Sequence, residues 1–149
     1  MIIVAVLCGV SFLAGCSKKT PPAENAQASE SRESSPAPSP SVEVMALNET
    51  NFDSQIGQGV VLVDFWAAWC GPCKIQGPIV EQVARQIGGA AKVAKLDVDA
   101  APNVAQRFGI SSIPTLIVFK DGKPVQQFVG ITQAEKLVSA VQAALKRET

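Results

Sequence analysis

The chain reads as an α/β protein built on a central mixed β-sheet with helices on both faces. Three observations predict this. Segments rich in β-formers alternate with helix-period segments in the order βαβαβαββα, which builds a sheet with helices packed against it. The run Val60 to Trp66 is apolar apart from Asp64, the pattern of a central strand covered on both sides. Two later strand-like segments flank Asp121-Gly122, a tight hairpin signal that makes one strand pair antiparallel.

The elements follow in order. Val42 to Leu47 alternates enough to form a first strand. Asn48 is placed to cap a short helix carrying Asn51, Phe52 and Ile56 and ending near Gly57. After the central strand, Ile75, Ile79, Val80, Val83 and Ile87 recur at helical spacing, predicting a helix from Pro72 to Ile87. Gly77-Pro78 inside it predicts a kink, and Gly88-Gly89 ends it. Lys92 to Val98 is a third strand, and Pro102 to Phe108 a short helix. Thr115 to Lys120 and Pro124 to Val129 are the hairpin strands. Ala134 to Lys146 is the last helix, apolar at Leu137, Val138, Val141 and Leu145.

Composition bounds the function. The 149 residues suit one ordinary domain and a tail. Acidic and basic residues balance at 13 each, so no basic stripe or acidic tail argues for nucleic acid. His is absent, which excludes a Cys–His dyad or a Ser–His–Asp triad within the chain.

Of the four cysteines, Cys70 and Cys73 lie in Trp69-Cys70-Gly71-Pro72-Cys73, between the central strand and the long helix. Pro72 suits the first helical turn, where the N–H it lacks has no intrahelical partner. The free N–H groups and dipole at a helix N-terminus stabilise negative charge. A thiol at Cys70 therefore ionises more easily than a free cysteine, and the thiolate is the reactive form. Two other readings of the pair stand beside this one. Half of a zinc site would need further ligands, which the absent His and the two N-terminal cysteines do not supply. A purely structural bridge over so short a loop would remove little unfolded-state entropy.

Trp69-Cys70-Gly71-Pro72-Cys73-Lys74 after Val63-Asp64-Phe65-Trp66-Ala67 resembles the thioredoxin family. The likeness continues through Val93 to Asp99, Gly109-Ile110, Ile113-Pro114-Thr115, Phe119 to Gly122 and Val129-Gly130, over roughly the last hundred residues. The resemblance implies the thioredoxin fold and a thiol–disulfide oxidoreductase with Cys70 as nucleophile and Cys73 as the resolving thiol. Asp64 would accept the proton of Cys73 through water, with Lys95 on the next strand as its partner. The residues alone also allow Asp64 a solvated strand end and Lys95 a solvated face. The resemblance makes Ile113-Pro114 a cis-proline loop beside the cysteines, although an isolated X–Pro bond is usually trans. Trp69, Gly71, Pro72, Ile113, Pro114 and Gly130 would form the substrate-binding surface around Cys70. Phe65 and Trp66 read as core, and Lys74 as solvated. No cofactor or metal is expected beyond the redox-active Cys70–Cys73 pair. The implied partners are disulfide-containing proteins and a reductase or membrane thiol relay that supplies electrons; the domain is expected to be monomeric.

The N-terminus predicts a location. Ile2 to Leu13 is mostly apolar, too short for a comfortable membrane span and of the length of a signal-peptide core. Leu13-Ala14-Gly15-Cys16, followed by Ser17-Lys18-Lys19, resembles the bacterial lipobox, although Met1 to Ile3 carries no Lys or Arg. That resemblance implies removal of residues 1–15, with Cys8, and lipidation of Cys16. Residues 17–41 are rich in Pro, Ser, Ala and Glu and read as a disordered tether. The domain then occupies residues 42–149. The expected location is a cell membrane, lipid-anchored and facing the periplasm or exterior. A non-cleaved anchor, a buried apolar segment and a cytosolic protein with a mis-assigned start are the alternatives. Within the redox reading, an oxidant or isomerase is the alternative to a reductant; outside it, the fold could serve as a binding or chaperone module.

Overall fold

The computed structural model describes residues 43–147. The expected signal segment, Cys8, the lipidation site Cys16 and the tether lie outside the described residues. The elements are β1 (Met45–Leu47), α1 (Phe52–Ile56), β2 (Val60–Trp66), α2 (Gly71–Ile87), β3 (Lys92–Asp97), α3 (Pro102–Arg107), β4 (Thr115–Lys120), β5 (Lys123–Val129) and α4 (Ala134–Lys146). Their order is the expected one.

The strands form one mixed sheet in the order β1-β3-β2-β4-β5. β1 and β2 flank β3 in parallel, while β2–β4 and β4–β5 are antiparallel. The β4–β5 turn is Asp121-Gly122, with φ of 48° and 80°. Positive φ at both positions matches the strands' right-handed twist.

Strand alternation divides the core in two. Val60 and Leu62 of β2, Val93 of β3 and Leu116 and Val118 of β4 pack on one face against Val80, Val83 and Ala84 of α2 and Leu137 and Val141 of α4. Val61, Val63 and Phe65, with Ala94, Leu96, Ile117 and Phe119, meet Phe52, Ile56 and Val104 on the other. The sheet is thus covered on both sides, which is why β2 tolerates so few polar residues. Asp64 takes the β2 position after Leu62 on the α2–α4 face.

Some expectations shift. β1 is shorter than Val42 to Leu47, of which Val42 lies outside the described residues. Asn48 Oδ1 accepts from the N–H of Thr50 and of Asn51, so it caps the turn before α1, and Asn51 is the cap position. α2 keeps the expected span, one helix with Pro78 inside it. Its buried face is Cys73, Gln76, Gly77, Val80, Val83 and Ala84, which turns Ile75 out to 58% exposure. On α4 the buried face is Ala134, Leu137, Ala140, Val141 and Ala144, and Leu145 lies off it and is exposed.

Candidate active site

The site forms where β2 ends. The chain leaves Trp66, turns through Ala67 to Trp69 and enters α2. Cys70 is the helix N-cap with extended backbone, φ −78° and ψ 108°, and its Sγ accepts from the Cys73 N–H at 3.1 Å. Its own N–H donates to the Ala67 carbonyl at 3.1 Å, closing the turn. Cys70 and Cys73 form a disulfide with Cα atoms 5.3 Å apart. When the pair is reduced, negative charge on Cys70 Sγ faces a free helix N–H and the positive end of the α2 dipole, both of which stabilise it.

Both sulfurs are nearly buried, packed with Ala67 and against Trp66, Val98 and Ile113. The Ile113–Pro114 bond is cis, as the resemblance implied. The Ile113 carbonyl oxygen lies 3.7 Å from Cys70 Sγ. The disulfide sulfur has no proton, so this is a contact rather than a hydrogen bond. Pro114 is buried, and its carbonyl accepts from Gly130 N–H at 2.8 Å. Gly130 has φ +83°, where a side chain would be strained. The structure thereby brings together every residue expected to form the substrate surface. Gly71 and Pro72 are exposed in the first turn of α2, Ile113 is half-buried, and Trp69 is 70% exposed. A groove of about 140 Å³ runs beside them, lined by Trp69, Val98, Ile110, Ser111, Ser112 and Ile113.

Asp64 is fully buried, and neither carboxylate oxygen has a hydrogen-bond partner among the described residues. Burial pushes its carboxyl up to about 6, and the positive charge of Lys95 holds that rise back. Asp64 faces Lys95 across β2–β3 and Leu116 across β2–β4, and α2 covers this face. The next residue of β2 on that face is Trp66, which reaches the cysteines. Lys95 makes no ion pair with Asp64; its Nζ sits 4.7 Å from the centroid of the Trp66 ring. Gly77 of α2 leaves it room, since a Cβ there would lie 3.4 Å from Lys95 Nζ.

Sequence reasoning missed two residues of the site, Trp66 and Asp99, and a buried pair behind it, Gln76 and Thr132, that touches neither sulfur. Trp66, expected in the core with Phe65, is half-buried beside the dithiol; the strand's alternation signals its face. Asp99 accepts from the Trp69 indole N–H at 2.7 Å, a pairing across 30 residues that no local pattern signals. Gln76 and Thr132 are buried and paired across 56 residues. No group of three or more His, Cys, Asp or Glu able to hold a metal occurs among the described residues.

Comparison with known proteins agrees with this geometry. The thioredoxin family model matches residues 43–143. The chain is 48% identical over 102 residues to a thioredoxin of Staphylococcus saprophyticus, covering 68% of this chain and 98% of that one. It is 49% identical over 98 residues to a thioredoxin of Staphylococcus haemolyticus, covering 66% and 94%. Among solved structures it is similar to a mutant thioredoxin from Halobacterium salinarum, with TM-score 0.66, 34% identity and coverage of 73% and 96%. It is also similar to a thioredoxin of Malassezia sympodialis, with TM-score 0.62, 35% identity and coverage of 69% and 91%.

Proposed function

Because the chain belongs to the thioredoxin family and is a thiol–disulfide oxidoreductase, we propose that its Cys70–Cys73 pair reduces disulfides of protein substrates on the extracytoplasmic side of a membrane, held there by lipid on Cys16. The observation that carries the redox reading is Cys70 at the α2 N-cap with the Cys73 N–H directed at its sulfur.

The reaction balances over two exchanges. The Cys70 thiolate attacks one sulfur of a substrate disulfide; that S–S bond breaks, and the departing substrate sulfur leaves as a thiolate. Cys73 gives its proton toward the Asp64 carboxylate through water and attacks Cys70 Sγ. The mixed disulfide breaks, the second substrate sulfur leaves, and both substrate thiolates take up protons. Two electrons pass from the dithiol to the substrate, and Cys70–Cys73 closes as a disulfide. The family implies a reductase partner that reopens it. At the proposed location, electrons would come from a thiol relay in the membrane, because exported compartments are usually oxidising.

Three features support the location. The Leu13-Ala14-Gly15-Cys16 motif follows an apolar core, a Pro- and Ser-rich stretch separates it from the domain, and the family match begins only at residue 43. The Gly71-Pro72 spacer supports the reducing direction, by resemblance to reducing members of the family.

The equilibrium potential of the purified full chain tests the direction. A value near the roughly −270 mV of thioredoxin is expected; one near the roughly −120 mV of a strong periplasmic oxidant would replace the reductant reading. For the anchor, expression in a bacterium should send the chain to the detergent phase with acyl mass on Cys16. The Cys16→Ser chain should lose both. A wild-type chain retaining residues 1–15 with no acyl mass would sink the lipoprotein reading.

A further inference from the structure

We propose that Gln76 is a positioning residue that ties the redox helix α2 to the loop presenting Gly130, and so sets the affinity for protein disulfides without taking part in the exchange itself. The inference rests on the proposed reduction of protein disulfides at Cys70–Cys73, with Gly130 as part of the surface that meets the substrate.

Gln76 lies one helical turn after Cys73 and is fully buried. Burying an amide side chain costs free energy unless both its ends are satisfied. Here both are. The Thr132 N–H donates to Gln76 Oε1 at 2.8 Å, and Gln76 Nε2 donates to the Thr132 carbonyl at 3.1 Å. The side chain therefore pairs with the backbone of one residue at two points, as a neighbouring strand would. Two points fix the angle of approach as well as the distance.

The bonds continue to the surface. Thr132 Oγ1 donates to the Gly130 carbonyl at 3.2 Å, and the Gly130 N–H donates to the Pro114 carbonyl at 2.8 Å. The loop from Gly130 to Thr132 is held on one side by the cis-proline loop and on the other by α2. Gly130, at φ +83°, belongs to no regular element, so these bonds set where its backbone lies relative to Cys70. An apolar residue at 76 would fill the space but leave the Thr132 N–H and carbonyl buried without partners, a strain the loop relieves by moving. A substrate chain that must contact Cys70, Ile113 and Gly130 together would feel that movement. A small disulfide that needs only the sulfur would not.

The test compares two substrates on the full chain: insulin as the protein disulfide and a small aromatic disulfide. Gln76→Leu is expected to raise KM for insulin about fivefold, on the scale of one lost net hydrogen bond. Its kcat, and its rate with the small disulfide, should stay within about twofold. Gln76→Glu adds a readout that a general loss of stability would not give. Its protonated carboxyl can accept from the Thr132 N–H and donate to the Thr132 carbonyl, whereas the carboxylate only accepts. Its KM for insulin should match the wild type at low pH and approach that of Gln76→Leu as the carboxyl ionises. Thr132→Val, which removes only the bond to the Gly130 carbonyl, should raise KM in the same direction and carries the test if Gln76→Leu does not fold. An unchanged KM in these variants, or a parallel loss with both substrates, overturns the inference. A wild-type chain unable to reduce insulin would instead overturn the reading on which it rests.

Discussion

Asp64 and Lys95 face each other across β2 and β3, yet the Lys95 ammonium lies over the Trp66 ring and both Asp64 oxygens are buried without a hydrogen bond. The carboxyl is therefore kept in surroundings that disfavour its charge, which pushes its pKa up to about 6 from 3.8. Below pH 3.8 it is protonated in both the folded and the unfolded chain. Between there and about 6 only the folded chain holds the proton, so folding stability falls as pH rises through this window and then levels off. The oxidised wild type should lose about 3 kcal/mol relative to Asp64→Asn between pH 3.5 and pH 8, as read from denaturant unfolding. The same substitution should slow resolution of the mixed disulfide on the order of a hundredfold, and a wild-type rise in that rate near pH 6 should disappear. Equal pH profiles for the two proteins would remove Asp64 from the mechanism.

The roles of the two cysteines separate when each is changed alone. Cys70→Ser is expected to lose reduction of protein disulfides to the background rate, because the sulfur at the helix N-cap is gone. Cys73→Ser keeps the nucleophile and lacks the thiol that releases it. It should therefore accumulate a mixed disulfide through Cys70, visible as added mass that a reductant removes. Trapping by Cys70→Ser and not by Cys73→Ser would reverse the assignment.

Which parts were legible in the sequence follows from the range of the interactions. Val60 to Trp66 was readable as a central strand because burial on both faces leaves a local trace, and Asp64 stood out against it. Cys70 and Cys73 were readable because helix N-terminal chemistry needs only a few adjacent residues. Gln76 was not, because a polar residue on a helix ordinarily faces water. It is buried here only because Thr132, 56 residues away, offers a backbone N–H and carbonyl. Ile75 misled for the same reason. It continued the apolar spacing, but α2 turns Gln76 and Gly77 inward, one residue further along. The strand β5 begins at Lys123 rather than Pro124, because the two-residue turn leaves Lys123 paired with Lys120.

The face opposite the α2–α4 layer holds a cluster of phenylalanine rings. Phe52 is fully buried and meets the rings of Phe65, Phe108 and Phe119 at centroid distances of 6.4, 5.4 and 5.8 Å. Phe52→Ala should cost about 3–5 kcal/mol in denaturant unfolding. The neighbouring Arg107–Asp53 ion pair is exposed, so Asp53→Ala should cost less than about 1 kcal/mol. Arg107→Ala should cost more than Asp53→Ala, because the guanidinium also stacks 5.3 Å from Phe52 and 4.9 Å from Phe108. Equal losses for the two would assign the effect to the ion pair alone.

Trp69 is 70% exposed, a large aromatic surface left open to water beside the dithiol, and its indole is fixed by the bond to Asp99. A side chain already held in place loses less freedom when a partner docks on it. Trp69→Ala should leave stability within about 1 kcal/mol, since little of the ring is buried. It should raise KM for protein disulfides by roughly tenfold, in the range of an aromatic contact at an interface. Asp99→Ala keeps the ring and frees it, and should raise KM by a smaller factor while lowering the fluorescence anisotropy of Trp69 in a Trp66→Phe background. Asp99→Asn keeps a carbonyl acceptor and should restore both values. An anisotropy unchanged by Asp99→Ala would show that the hydrogen bond does not order the ring, and the KM effect would then need another cause.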